Sequence, residues 1–586
     1  MTDQLLHDTT SSRQNEEVAS PCDQSLLVGE SASQLWDLTL TQLLQKQVNL
    51  NPSRKCVVFP EYDYRVSYEE LYQKTLETAK GLKKIGIRNG DRVGILAGNI
   101  PAYVELFFAV SHVGGIFVVF NTTYTPMELQ FALKHSGCKA LFVATSIGKT
   151  PTTKIMDMLK SRGGNELPEL ESIVCLKPIA EGSCLDYDQF QKAGKAISDT
   201  ELFSTMELQS AGQVCNLQFT SGTTGTPKAA MLTHSNIINN GRFVGDRMRL
   251  DSSDTICCPP PLFHCFGLVL GLLAVVTHGG CVVFPSETFQ ASSVLKAVSE
   301  ERCTGLHGVP AMFSAQLELL KGDSTVDFSS LRTGIAAGSS VPRKMMADLR
   351  EKLNMKEITS TYGKLWMTET SPGSFMSYTH DPVEKRLSTV GKILPHTKAK
   401  IVNGNGDIVP VGTRGELLVS GFQLQKGYWR NPKQTAEAMQ RDADGCLWMR
   451  TGDEAVFDNE GYCTITGRIK DIIIRGGENI FPLEIEEILG QHKSIIQSSV
   501  VGLPDSKYGE VVAAFLQHRS TEPRPSAEVL RDFVRKTLGW HKAPVHIFWL
   551  EEGEDFPKTG SGKVQKHILR EHGKKRLKRL ACTSRL

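Results

Sequence analysis

The chain runs to 586 residues, 40% of them hydrophobic, and its 66 Lys and Arg nearly balance 64 Asp and Glu for a formal net charge of +2. That length allows several domains and ample core, and the mixed charge excludes the basic field of a nucleic-acid binder. Fourteen cysteines without a C-x-x-C pair offer neither zinc spacing nor a disulfide scaffold and favour a reducing compartment, while the best apolar run, residues 267–277, falls short of the ~20 residues a membrane helix needs.

In chain order, residues 1–33 carry Asp3, Asp8, Glu16 and Glu17 among polar neighbours and read as a disordered arm, with neither a signal core nor a transit-peptide composition. Residues 92–96 read as a strand. Asn99 and Pro101 then open a helix that Gly114 and Gly115 close, and 116–120 is the next strand. Thr125-Pro126-Met127-Glu128 is a capping box with proline at the first helical position, its helix stopping at Gly137, and 140–143 is a third strand. This βαβαβ rhythm implies a parallel sheet covered on both faces. Strand-like 214–219 leads through a polar loop toward a helix start at 234–240, Cys257 and Cys258 read as buried packing residues, and 267–277 as a buried helix. Further strands fall near 281–284, 305–309 and 334–337. Between about 395 and 466 short strands with Gly-rich turns suggest a small β-barrel subdomain. After Lys470 come strands at 498–501, 511–518 and 545–549 and helices at 484–489 and 527–538, a second α+β domain. The fold class is α/β, divided as arm 1–33, large domain 34–469, small domain 470–570 and basic tail 571–586.

The polar loop is the most informative segment. Thr220, Ser221, Gly222, Thr223, Thr224, Gly225, Thr226, Pro227 and Lys228 crowd hydroxyls, two glycines and an ammonium into one turn. Glycines let successive N–H groups converge on an anion, hydroxyls add donors, and Lys228 adds a point charge, which is how a phosphate is held. The competing reading is a Ser/Thr/Gly surface loop without a ligand; a strand-loop-helix setting favours phosphate. Walker A spacing fails at Pro227 and Ala229.

Further strings follow: P-L-F-H-C-F-G at 261–267, T-Y-G at 361–363, M-T-E at 367–369, G-E-L at 415–417, R-T-G-D at 450–453, G-R-I-K-D at 467–471, R-G-G-E-N-I at 475–480 and P-K-T-G-S-G-K at 557–563. In this order, from about residue 35 to 570, the chain resembles the adenylate-forming superfamily, on its acyl-CoA synthetase branch, with medium-chain and fungal peroxisomal ligases among the similar members. The resemblance implies a large domain of two α/β subdomains and a small β-barrel, followed by a mobile α+β C-terminal domain. It implies ATP, Mg²⁺ and coenzyme A, with a carboxylic acid as substrate. Attack of the acid on the α-phosphorus of ATP brings two anions together, which donors and cations must offset.

By resemblance, loop 220–228 holds phosphates, Glu369 binds Mg²⁺ with Thr220 as a weaker ligand, and Thr368 faces the phosphates. Tyr362 and Gly363 lie against adenine, with Gly338 and Ser339 on its other side, and Asp453 and Arg468 hold ribose. Lys563 bridges α-phosphate and carboxylate; in isolation it reads as a solvated lysine in a Gly/Ser turn. Lys470 is the hinge about which the small domain turns, so that Gly476, Gly477 and Glu478, with His541 and Lys542, meet coenzyme A. His264 resembles the gate between acyl pocket and thiol channel; the alternative is a packed core histidine. Segments around 263–268, 308–310 and 336–337 line an apolar acyl pocket.

Two departures stand out. Ala229 replaces a usual glycine, which a negative φ tolerates, and Lys364-Leu365-Trp366 interrupt the usual spacing between Tyr362-Gly363 and Glu369. Three inserted residues either bulge outward or separate the adenine platform from the metal ligand by up to about 10 Å. The second outcome leaves a catalytically silent nucleotide or acyl binder; an adenylation enzyme loading a carrier protein is a further alternative. Ser584-Arg585-Leu586 is a conservative variant of the S-K-L address read by the peroxisomal import receptor, against a basic tail that only solvates the terminus. The chain is therefore expected in the peroxisome, with no nucleic-acid partner and no transmembrane segment.

Overall fold

The computed structural model describes residues 23–161, 166–177, 184–220, 227–320, 326–337, 341, 343–360, 367–559 and 564–583. Two parallel sheets form the bulk of the large domain. The first runs, across its width, Leu185–Asp186, Ser172–Cys175, Cys138–Val143, Arg92–Leu96, Ile116–Val119, Val214–Thr220 and Lys228–Thr233, parallel until the last antiparallel pair. The second runs Gly305–Leu306, Thr255–Cys257, Cys281–Val283, Lys55–Phe59 and Tyr64–Ser67, again with one antiparallel edge pair. Its parallel strands are largely buried and mostly apolar, as parallel sheets under helices require, while the antiparallel edge Tyr64–Ser67 is only partly buried. Bridges from Gly305 to Thr333 and from Gly308 to Ala336 carry it on to Ile335–Ala336.

Local chemistry explains the helix between the first strands. Thr125 caps Pro126–Ser136, accepting from Glu128 N while Glu128 reaches back, and Gly137 closes it at φ 65°. Residues 266–277 form one buried helical stretch, Phe266–Leu273 wound as a π-helix and Ala274–Thr277 as an α-helix. Gly267 has no alternative there, because a Cβ would stand 2.4 Å from the Pro261 carbonyl oxygen.

Two expectations are corrected. Residues 23–33 are not a disordered arm: Leu26–Val28 pairs antiparallel with Thr397–Val402, its backbone demand met by the sheet. The region expected as a β-barrel contains a six-stranded antiparallel sheet among the described residues. The boundary expected at 570 between small domain and tail falls inside one helix, Lys566–Thr583, with Leu569 and Leu577 packed on the small domain's second apolar cluster and the Arg576 guanidinium over Phe548.

The small domain is a five-stranded sheet, ordered Glu478–Ile480, Ile473–Arg475, Gly509–His518 and Ile495–Asp505, with His546–Trp549 parallel to Gly509–His518. Helices Pro482–Gly490, Ala527–Arg535 and Lys566–Thr583 complete it. A pairing of Cys175 with Cys184 was not expected from the cysteine spacing; Cys257 and Cys258 are buried, as expected. No helix among the described residues is long and apolar enough to cross a membrane.

Candidate active site

The segment expected to hold an anion lies between two paired strands. Val214–Thr220 and Lys228–Thr233 run antiparallel with Thr220 opposite Lys228, so the loop expected from sequence joins strand to strand; Ser221, Gly222, Thr223, Thr224, Gly225 and Thr226 lie outside the described residues. The helix His234–Met248 starts only after the second strand, and Thr233 and Asn236 cap it reciprocally. Its N-terminal donors are met locally, and its start lies a whole strand from the loop. Ala229 lies in that strand, where glycine's freedom is not needed.

The second strand is gripped on its other side by 426–429: Trp429 N donates to Ala229 O at 2.8 Å and Met231 N to Gly427 O at 3.0 Å. This pairing brings Tyr428 to the hairpin. Lys228 Nζ lies 5.0 Å from the Tyr428 ring centroid, and Tyr428 OH donates to Glu369 Oε1 at 2.9 Å. Burial, reinforced by that carboxylate, pushes the Tyr428 phenol's pKa up and keeps it a donor. Glu369 and Thr368 lie in the short turn Thr368–Thr370, 8% and 9% exposed.

The string 261–267 reaches the same turn. Cys265 hydrogen-bonds Thr368 and lies 2.8 Å from Gln218 Oε1, so its neighbour His264, half-buried at the mouth of the buried helix, stands next to the acidic turn; His264 Nδ1 accepts from Phe266 N at 3.1 Å. The expected acyl-pocket segments also converge. His307 joins them: Ile335 N donates to Nδ1 at 3.3 Å and Nε2 donates to Leu270 O at 3.2 Å, which fixes the tautomer. Its ring is 5.9 Å from Phe266, and burial pushes its pKa down to about 4. The sequence reading passed over His307, whose signal is a histidine at the end of an apolar strand.

Asp453 and Arg468 are direct cross-strand partners. Arg468 Nε lies 2.9 Å from Asp453 Oδ1, with the carboxylate fully buried and the arginine about a quarter exposed. In the small domain, Gly476 and Gly477 have φ of 60° and 87° between paired Arg475 and Glu478, the left-handed two-residue turn that favours glycine. His541 Nε2 is 3.8 Å from Glu478, while Lys542 pairs with Glu484. Lys470 lies in the turn Ile469–Asp471. Lys558 and Val564, on either side of Lys563 in the chain, form a β-bridge; Lys563 itself, Gly338, Ser339, Tyr362, Gly363 and the 364–366 insertion are outside the described residues.

The donor set suits a hard cation shared with phosphate. Among the described residues no three metal-capable groups cluster, and Glu369 is a single buried carboxylate beside the hairpin mouth where Thr220 ends its strand. Mg²⁺ takes one or two carboxylates and completes its shell with phosphate and water oxygens, which fits this sparse site.

The family pattern of the AMP-binding enzymes matches residues 44–429, and that of their C-terminal domain matches 484–563. The chain belongs to the AMP-binding enzyme family. Within it, the acyl-CoA ligase sidI of Aspergillus fumigatus is 52% identical over 556 residues, 93% of each chain. The mitochondrial medium-chain acyl-CoA ligase ACSF2 of Danio rerio is 37% identical, covering 94% of this chain and 91% of its own. Among solved structures, the anthranilate CoA ligase AuaEII in complex with anthranoyl-AMP superposes with a TM-score of 0.79 at 25% identity, over 92% of this chain and 97% of that one. The AMP-binding chain is accordingly an AMP-forming acyl-CoA ligase that joins a carboxylic acid to coenzyme A through an acyl-adenylate, with ATP as the activating substrate.

Proposed function

We propose that this ligase activates a medium-length, apolar or functionalised carboxylic acid with Mg²⁺-ATP in the peroxisome and supplies the thioester to fatty-acid or secondary metabolism. The contact of Lys228, Tyr428 and Glu369 supports it most directly. A cation on one strand and a carboxylate on a buried turn are held on a shared ring, where a phosphate chain and its counter-ion need opposite charges a few ångströms apart. When bound, Mg²⁺ would neutralise phosphate charge from Glu369. Lys228 and the hairpin hydroxyls hold the leaving pyrophosphate, Asp453 orients ribose, and Lys563 steadies the two oxygens that meet at the α-phosphorus. His264 and the segments tied by His307 shape a water-poor acyl pocket.

Pyrophosphate and AMP release by the purified protein with ATP, Mg²⁺ and a panel of straight, branched and hydroxylated acids, with and without coenzyme A, tests this reading. The expected outcome is acid-dependent pyrophosphate release and thiol-dependent thioester formation. Release indifferent to every acid would leave a nucleotide binder, and acyl transfer to a carrier protein but not to coenzyme A would redirect the second step. Peroxisomal delivery rests on Ser584-Arg585-Leu586; an N-terminally tagged chain lacking these three residues should lose peroxisomal fluorescence, and unchanged location would reject the address.

A further inference from the structure

One ion pair among the described residues joins the chain before Lys470 to the chain after it. Both terminal guanidinium nitrogens of Arg414, in the large domain, lie 3.3 Å from Glu484 Oε1. The same guanidinium stands 4.9 Å from the Phe481 ring centroid, and Leu483, between these two partners, packs into the apolar cluster of the large domain's antiparallel sheet. Glu484 also holds Lys542 of its own domain, so one carboxylate is shared across the boundary. At the pivot, Arg570 of the terminal helix pairs with Asp471 at 3.3 Å and donates to the Lys470 carbonyl at 3.4 Å. Residues from Asp471 onward are thereby tied to the small domain, and rotation falls on Lys470 and the residues just before it.

The glycine turn assigned to the thiol step, with Glu478, faces solvent in this orientation. Glu478 is 71% exposed and a Cβ on Gly477 would meet nothing within 4 Å, whereas His541 and Lys542 are 28% and 21% exposed. This is not the arrangement in which the turn would line a channel.

We propose that Arg414 is a positioning residue that holds the small domain in its pre-thiol orientation by gripping Glu484 and Phe481. The inference rests on the two-step ligase reading above. Turning about Lys470 carries Phe481 and Glu484 away from Arg414, so the contact stabilises one orientation only, and a group that stabilises one state shifts the population toward it. Because the pair is partly exposed, at 46% and 24%, its removal should shift the balance by about two- to fivefold. The liberated Glu484 keeps Lys542, so the small domain's own packing is left intact.

The test measures each half-reaction alone in single turnover, using whichever acid of the panel the wild-type enzyme accepts, together with distances between spin labels carried on non-natural residues at 444 and 536. Arg414→Ala should slow acyl-AMP formation about two- to fivefold while thioester formation from preformed acyl-AMP holds or rises. Arg414→Lys should recover part of the difference, and Arg414→Ala combined with Glu484→Gln should be no worse than either alone. The label distances in Arg414→Ala should broaden toward the second orientation. Equal slowing of both half-reactions, or an unchanged distance distribution, would overturn the assignment. A wild-type enzyme that adenylates no acid would instead bring down the functional reading, and the spin-label distances would still judge the latch.

Discussion

The two halves of the active site are built on opposite principles. In the large domain Glu369 and Asp453 are 8% and 0% exposed, each held by a neighbour on a paired strand or a buried turn. In the small domain Glu478 is largely in water, a Cβ on Gly477 would meet nothing within 4 Å, and the residues flanking Lys563 are joined by a bridge between Lys558 and Val564. The first set is buried in place within the large domain; the second set takes its position from where the whole small domain is placed. On the proposed reading, nucleotide charge is met by a preformed site, while the small-domain groups arrive by rotation.

The most severe way to break this contrast is Lys563→Ala. If the lysine only visits the preformed site for adenylation, acyl-AMP formation should fall by about 10²–10³, the cost of removing one transition-state donor, while thioester formation from preformed acyl-AMP stays near wild type. Rapid-quench measurement of both steps decides it, and equal loss in both would show that Lys563 supports the small domain rather than the reaction.

Acid should separate the halves by stability. His112, His234 and His307 are buried in the large domain, and burial pushes their pKa values down to about 3, about 3 and about 4. The unfolded chain takes up protons near pH 6.5 and the native chain does not, so stability is complete above that pH and is lost as pH falls below it. Between pH 7 and pH 5.5 each histidine should cost about 1.2 kcal/mol, roughly 3–4 kcal/mol together. His492 and His546 of the small domain are also shifted down by burial, but from partly exposed sites where solvent shrinks the effect. Hydrogen exchange along the chain at the two pH values should show protection falling first in the large domain; uniform or absent loss would contradict the burial argument.

Legibility followed the range of the interactions. The capping box at Thr125 and the left-handed Gly137 are local and were read correctly, as was the buried helical run from 267 to 277. Lys55–Phe59 and Tyr64–Ser67 were not read, because the first takes its place from Cys281–Val283, more than 200 residues away, and the second pairs only with the first. Lys228–Thr233 was taken as the lead into a helix, since six residues without clean alternation carry no strand signal of their own. The terminal helix was hidden by its charge, although Leu569, Gly573 and Leu577 recur every four residues on the face that meets Leu503. Tyr428 lies in none of the family strings and meets Glu369 across 59 residues; only the strand pairing reveals it. Asp453 and Arg468 were named by resemblance alone, and their cross-strand register supplies the physical reason.

Tyr428→Phe sharpens the comparison at the scale of one hydrogen bond. The ring still underlies Lys228, so the cation contact survives, but Glu369 loses its donor while it remains buried. The expected cost is about 1–3 kcal/mol of stability in the free enzyme, read from denaturant midpoints. Added ATP and Mg²⁺ should restore much of it, because the carboxylate then has a cation. A loss that nucleotide and Mg²⁺ leave untouched would argue that Glu369 is structural.

The smallest effect is the most discriminating for the small domain. Gly477 has φ 87° and Gly445, in a large-domain turn, φ 77°, and at both a Cβ would meet nothing within 4 Å. Alanine at either position therefore incurs only left-handed backbone strain, about 1–2 kcal/mol, and the two substitutions should lower stability alike. They should differ in catalysis. If Gly477 is the point where the thiol arm passes after rotation, a methyl group there obstructs a space that is empty only in the present orientation, and thioester formation should slow while acyl-AMP formation does not. Gly445→Ala should leave both steps unchanged. Matched kinetics for the two variants would mean that the turn needs glycine for its backbone angle alone, and the approach of coenzyme A would have to be sought elsewhere on the small domain.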